Sequence, residues 1–85
     1  MYQLIFHPWV KKQAKKLHPQ DQKRFIKTVS RLEKSPFSKS LDIKRLVNTR
    51  SGYRLRIGDF RVLYSINKKE KIIYVWEVGY RGGIC

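Results

Sequence analysis

Arg54, Arg56 and Arg61 are the residues of this chain whose type and spacing most directly suggest chemistry. They flank Gly58-Asp59, a dipeptide that favours a two-residue turn between antiparallel strands. With that pair as the whole turn, Ile57 lies opposite Phe60, Arg56 opposite Arg61, Leu55 opposite Val62 and Arg54 opposite Leu63. Opposed residues share a face of the sheet, as do residues two apart on one strand. The three arginines therefore project from one face, while Tyr53, Leu55, Ile57, Phe60, Val62 and Tyr64 project from the other. Like charges directly opposed destabilise a sheet, so the facing Arg56 and Arg61 suggest a missing anion. Arginine forks grip a phosphate with two parallel hydrogen bonds, which lysine cannot do. Each arginine alone would read as solvating the open face of a half-buried sheet. Their clustering across a fixed turn points instead to an anion site.

The whole chain supports that reading. Twenty Lys and Arg stand against six acidic residues, for a net charge of +14. The excess is spread evenly: residues 1–40 carry ten basic residues and two acids, and residues 41–85 carry ten and four. A basic tail would concentrate the charge, so here the folded body itself attracts polyanions, RNA foremost. The next strand extends the pattern conditionally. If Ile66 pairs with Ile72, Arg61 comes opposite Glu77, which would orient it or accept a proton, and Arg81 continues the arginine face. A one-residue change in the loop reverses that parity.

The elements that must position these residues are legible in outline. Tyr2 to Phe6 reads as an opening strand. His7-Pro8 and His18-Pro19 each signal a helix start, since proline tolerates the first helical position. Val10, Ala14 and Leu17 share one face of the first helix, and Phe25, Ile26, Val29 and Leu32 form the stripe of the second, which Ser35-Pro36 ends. Leu41, Ile43 and Leu46 hint at a brief strand, and Asn48 to Gly52 reads as a loop. Phe60 to Ile66 is a strand, Asn67 to Lys71 a polar turn, and a final strand runs from Ile72 to about Gly79. The expected class is α+β: an N-terminal strand and a helical hairpin packed on one face of a small, mainly antiparallel sheet. Eighty-five residues leave room for a single domain, 1–85.

Several chemistries find no pattern. His7 and His18 stand eleven apart with no cysteine or acid spacing beside them, so neither a metal nor another cofactor is expected. Trp9 and Trp76 read as core or core-edge aromatics, and no Gly-rich phosphate loop is present. The sole cysteine, Cys85, excludes a disulfide framework and fits a reducing cytoplasm. Met1 to Phe6 lacks the form of a signal peptide, and no apolar run reaches the roughly 20 residues that span a bilayer, so no membrane is expected as a partner.

The stretch Gly52-Tyr53-Arg54-Leu55-Arg56-Ile57-Gly58-Asp59-Phe60-Arg61-Val62-Leu63-Tyr64 resembles the RelE/ParE superfamily of bacterial and archaeal toxins. The ending Glu77-Val78-Gly79-Tyr80-Arg81-Gly82-Gly83-Ile84-Cys85 is similar to that family's closing motif, and the Lys44-Arg45-Leu46 segment occurs in the same order. The resemblance implies a toxin neutralised by a cognate antitoxin. Its RelE branch cuts messenger RNA in the ribosomal decoding site; its ParE branch poisons DNA gyrase. The basic face favours RelE, with the gyrase inhibitor and a catalytically inactive RNA-binding relative as alternatives. By position, Arg54, Arg56, Arg61 and Arg81 match the basic active-site residues. Lys44, Arg45 and Arg50 are assigned to RNA binding. The implied reaction is metal-free attack by a ribose 2′-hydroxyl on the adjacent phosphate. Many members carry lysine where this chain has Arg54 and Arg56, histidine where it has Tyr80, and tyrosine where it has Cys85. Arginine stays protonated, so proton transfer falls to Tyr80, Glu77, Cys85 or the ribosome. Tyr80 is favoured, its phenol pKa expected to be lowered by neighbouring arginines.

Overall fold

Pro8 and Pro19 each open a helix, where a missing backbone N–H costs nothing. The computed structural model of the chain describes residues 1–46 and 52–80. In order they form β1 (Gln3–Phe6), α1 (Pro8–Lys15), α2 (Pro19–Lys34), β2 (Asp42–Arg45), β3 (Gly52–Ile57), β4 (Phe60–Asn67) and β5 (Ile72–Tyr80). The five strands make one sheet in the order β1-β5-β4-β3-β2, antiparallel throughout except for the parallel β1–β5 pair. The architecture is the expected α+β arrangement. Among the described residues, no helix is long and apolar enough to cross a membrane.

The helices cover one face of the sheet. Val10, Leu17, Phe25, Val29 and Leu32 pack against Leu55, Phe60, Val62, Tyr64, Ile66, Ile73, Val75 and Val78 to form the core. Every second residue of β3 and β4 enters it, as a strand period of two requires. Lys11, Lys12 and Lys15 stay exposed on α1, as does Lys16, which caps its C-terminus.

β1 is shorter than β5, so the far end of β5 would present an open edge beyond Phe6. α1 closes it with side chains. Trp9 Nε1 donates to the Trp76 carbonyl at 2.7 Å, and the Val78 N–H donates to Gln13 Oε1 at 3.0 Å. Half-buried backbone groups are thereby satisfied without another strand.

Gly58 has φ +56° while Asp59 does not have positive φ, the pattern of a type II′ hairpin turn. A side chain at Gly58 would also approach Arg24 Nη1 to 3.3 Å. The turn therefore has the two residues expected of it, and β3 pairs with β4 in the expected register.

The register of β5 differs from expectation. Asn67, not Ile66, pairs with Ile72, and a bulge follows: Leu63 pairs with Glu77 and Tyr64 with Val75, leaving Trp76 as the extra residue. Arg61 therefore lies opposite Gly79, and Glu77 faces Leu63 across the ladder. The connection from Asn67 is built on local chemistry. The Glu70 N–H donates to Asn67 Oδ1 at 3.0 Å, and Lys71 takes φ +56°.

Candidate anion site on the open sheet face

The face away from the helices gathers the basic residues. Arg56 pairs with Arg61 and Arg54 with Leu63 across β3–β4. On the other side of β3, Asp42 pairs with Arg56 and Lys44 with Arg54. Asp42, Lys44, Arg54, Arg56 and Arg61 together line a cup of about 40 Å³. That is close to the share of liquid volume of one water, ~30 Å³, so the cup suits the oxygens of a phosphate rather than a whole nucleotide. Arg54 and Arg61 are half-buried, and Arg56, Lys44 and Asp42 are exposed. Partial burial lowers the local dielectric and strengthens any charge-assisted bond to an anion. Gly79, with no side chain, stands beside Arg61 on the β5 side.

The expected site residues thus divide. Arg54, Arg56, Arg61 and Lys44 meet at one cup. Arg45 does not: it pairs with Tyr53 on the opposite face and lines a separate hollow with Phe37, Leu41, Ile43 and Tyr53. Neighbours on a strand point to opposite sides, so Lys44 and Arg45 cannot serve one surface. Glu77 shares the arginine face, but stands diagonal to Arg61 instead of across from it. Arg50, Arg81 and Cys85 lie outside the described residues.

Tyr80 requires correction. It pairs with Phe60 on the helix side of the sheet, with the two rings edge-to-face at 6.3 Å. Its hydroxyl donates to Asp21 Oδ2 at 2.8 Å and accepts from the His18 N–H at 2.8 Å. Desolvation raises the phenol pKa, the His18 hydrogen bond works against this, and the Asp21 and Asp59 carboxylates raise it further. The expected lowering by arginines is reversed, because the strand period sends Tyr80 to the face opposite them. Its structural part is clear: it joins the end of β5 to the first turn of α2, where Asp21 is also 3.6 Å from Arg24.

Sequence reasoning missed Asp42, a carboxylate inside the basic cup. The signal was weak, because β2 is only four residues long and its register depends on pairing with β3. Among the described residues, no group of three or more His, Cys, Asp or Glu side chains could hold a metal ion.

Residues 4–84 match the family model described as the ParE toxin of the type II toxin–antitoxin system parDE. The chain belongs to the RelE/ParE superfamily of toxins. RelE1 of Methanocaldococcus jannaschii is 35% identical over 83 residues, covering 96% of this chain and 92% of that protein. A chain in the crystal structure of the archaeal RelE–RelB complex from Pyrococcus horikoshii OT3 superposes with a TM-score of 0.84 at 33% identity, covering 95% of this chain and 96% of that one. The isolated E. coli RelE toxin has a TM-score of 0.78 at 20% identity, covering 94% and 84%, and shares the fold. The RelE/ParE chain described here is therefore a type II toxin on the RelE side of its superfamily.

Proposed function

We propose that this toxin cuts messenger RNA on the ribosome, in the cytoplasm, and is restrained by a cognate antitoxin. The observation that carries the reading is the cup in which Arg54, Arg56 and Arg61 converge with Lys44. Three arginine forks on a rigid hairpin, joined by an ammonium from the neighbouring β2, match a phosphate that gains negative charge in its transition state. In the proposed reaction a ribose 2′-hydroxyl attacks the adjacent phosphorus and the bond to the 5′-oxygen breaks. The products are a cyclic phosphate and a 5′-hydroxyl that takes a proton from water. Arg56 and Arg61 hold the non-bridging oxygens, and Arg54 and Lys44 hold the neighbouring backbone. Arg81 adds to that grip by family analogy, as Arg50 does to RNA binding. Asp42, the carboxylate lining the cup, accepts the proton of the 2′-hydroxyl. Tyr80 keeps a positioning role, since its hydroxyl is engaged by Asp21 and His18.

The antitoxin follows from the RelB complexes of similar proteins. Its segment over the arginines should be acidic, because burying unpaired arginines under apolar groups costs several kcal/mol, roughly.

The test maps message ends by primer extension, with and without translating ribosomes. Ribosome-dependent cuts should fall about 100-fold or more with Arg61→Ala. Unchanged cutting by a folded Arg61→Ala protein would sink the assignment. A second reading, gyrase inhibition without RNA cutting, is favoured by the ParE description of the matching family model. Intact messages together with blocked supercoiling would select it.

A further inference from the structure

The arginine cup occupies one end of the open sheet face, and a second hollow occupies the other. Ser65, Ile66, Asn67, Ile72 and Tyr74 line a cavity of about 270 Å³. Ser65 pairs with Tyr74 and Asn67 with Ile72, so these four side chains share the face that carries Arg61. Ser65 lies four residues along β4 from Arg61, about 13 Å at the rise of an extended strand. Leu63 bridges the interval, facing outward yet only 5% exposed. Leu63 thus closes the floor between the two hollows, with Glu77 directly across from it on the same face.

The second hollow has the features of a base-binding site. Tyr74 supplies an aromatic wall, held from its other side by the His7 ring, edge-on at 6.4 Å and 88°. Ile5, directly across from Tyr74 on β1 and 37% exposed, extends the wall. Asn67 is also pre-set: its Oδ1 accepts the Glu70 N–H, which leaves the two Nδ2 hydrogens as donors. Ser65 adds a hydroxyl. The volume lies just under the ~300–1,000 Å³ of small-molecule sites, enough for one flat heterocycle. Open sheet faces with aromatics stack unpaired bases, while a basic groove tracks the backbone.

We propose that this hollow is a nucleobase subsite of the same RNA track, taking one unpaired base near the scissile phosphate. Tyr74 stacks on the base, and Asn67 donates to a ring carbonyl. Guanine, uracil and cytosine, which carry such carbonyls, are preferred there to adenine, which carries none. The inference rests on the RNA-cutting reading, because the arginine cup supplies the anchored phosphate from which the base reaches the hollow.

The experiment is fluorescence anisotropy with short single-stranded RNA oligonucleotides, in which an abasic site is moved one position at a time. The wild-type protein should lose affinity at one position beside the phosphate-binding register. Tyr74→Leu should weaken binding of intact RNA by roughly 5- to 150-fold, the effect of losing one base–aromatic stack, and should be insensitive to the abasic site at that position. Tyr74→Phe keeps the stack and should bind as wild type, which controls for folding. Asn67→Asp retains the acceptor for Glu70 but not the donors, and should erase the discrimination against adenine. If Tyr74→Leu binds every oligonucleotide as wild type while Arg61→Ala does not, the subsite is wrong and the RNA-cutting reading stands. Equal loss by Tyr74→Leu on intact and abasic RNA also overturns the subsite. Wild-type binding by Arg61→Ala would remove the anion site and the inference with it.

Discussion

The two faces of the β3–β4 hairpin are built from alternate residues of the same strands, yet obey opposite rules. Leu55, Phe60, Val62 and Tyr64 point toward the helices and are fully buried. Arg54, Arg56 and Arg61 point away, and set one pair of like charges directly across from each other. The first face gains stability from apolar area removed from water. The second gives up a little stability and gains a phosphate-sized basic cup. A helix or sheet laid over the arginines would bury unpaired charge, so this face stays open for an anionic partner.

The largest expected effect lies on the covered face. Phe60→Ala removes a fully buried ring and should cost ~3–5 kcal/mol, enough to leave a domain this small largely unfolded in urea titrations. Retained stability would mean that the helices can collapse onto the vacated space.

Tyr80→Phe tests whether that residue belongs to the covered face or to the chemistry. Losing its hydroxyl frees the His18 N–H and leaves the nearly buried Asp21 with Arg24 at 3.6 Å. The expected result is a melting temperature lower by several degrees, with message cutting per folded molecule unchanged. Lost cutting in a stable Tyr80→Phe protein would return the tyrosine to the reaction.

Tyr64→Phe probes the one inconsistency of the covered face. The Tyr64 hydroxyl is buried and has no hydrogen-bond partner among the described residues. Burial, and then the charge of Tyr53, push its pKa well above the tyrosine value. The unfolded phenol titrates near 10, so the stability linked to this proton is complete below about pH 10 and is lost as pH rises toward the folded value. Tyr64→Phe should be about 1 kcal/mol more stable at neutral pH, and its urea midpoint should fall less between about pH 8 and pH 11. An identical alkaline loss in both proteins would show that the hydroxyl finds a partner.

The smallest effect belongs to the open face. Arg56→Thr removes the like-charge pair with Arg61 and the opposite-charge pair with Asp42 together, so the two offset and stability should change by less than ~1 kcal/mol. RNA affinity should fall at the same time, and its dependence on salt should become shallower. A gain in stability without any loss of RNA affinity would break the division of labour between the faces.

How much of this was legible in the sequence depended on how local each determinant was. Gly58 needs positive φ, and Gly58-Asp59 leaves two residues for the turn, so the parity of β3 and β4 followed from four neighbouring residues. Pro8 and Pro19 marked both helix starts for an equally local reason. The position of Glu77 was not local. It depended on a bulge at Trp76, whose carbonyl accepts from Trp9 at the far end of the chain. Asp42 entered the cup through a four-residue strand with no turn signal to set its register.

The sequence by itself determined the α+β class, the arginine face and the polyanion-seeking charge, because periodicity, turn chemistry and net charge are additive properties of neighbouring residues. Only the tertiary structure decided where Tyr80 sends its hydroxyl, which carboxylate joins the arginines, and that a second hollow lies beside them. Each of these rests on pairing between segments distant in the chain, where a shift of one residue exchanges the two faces of the sheet.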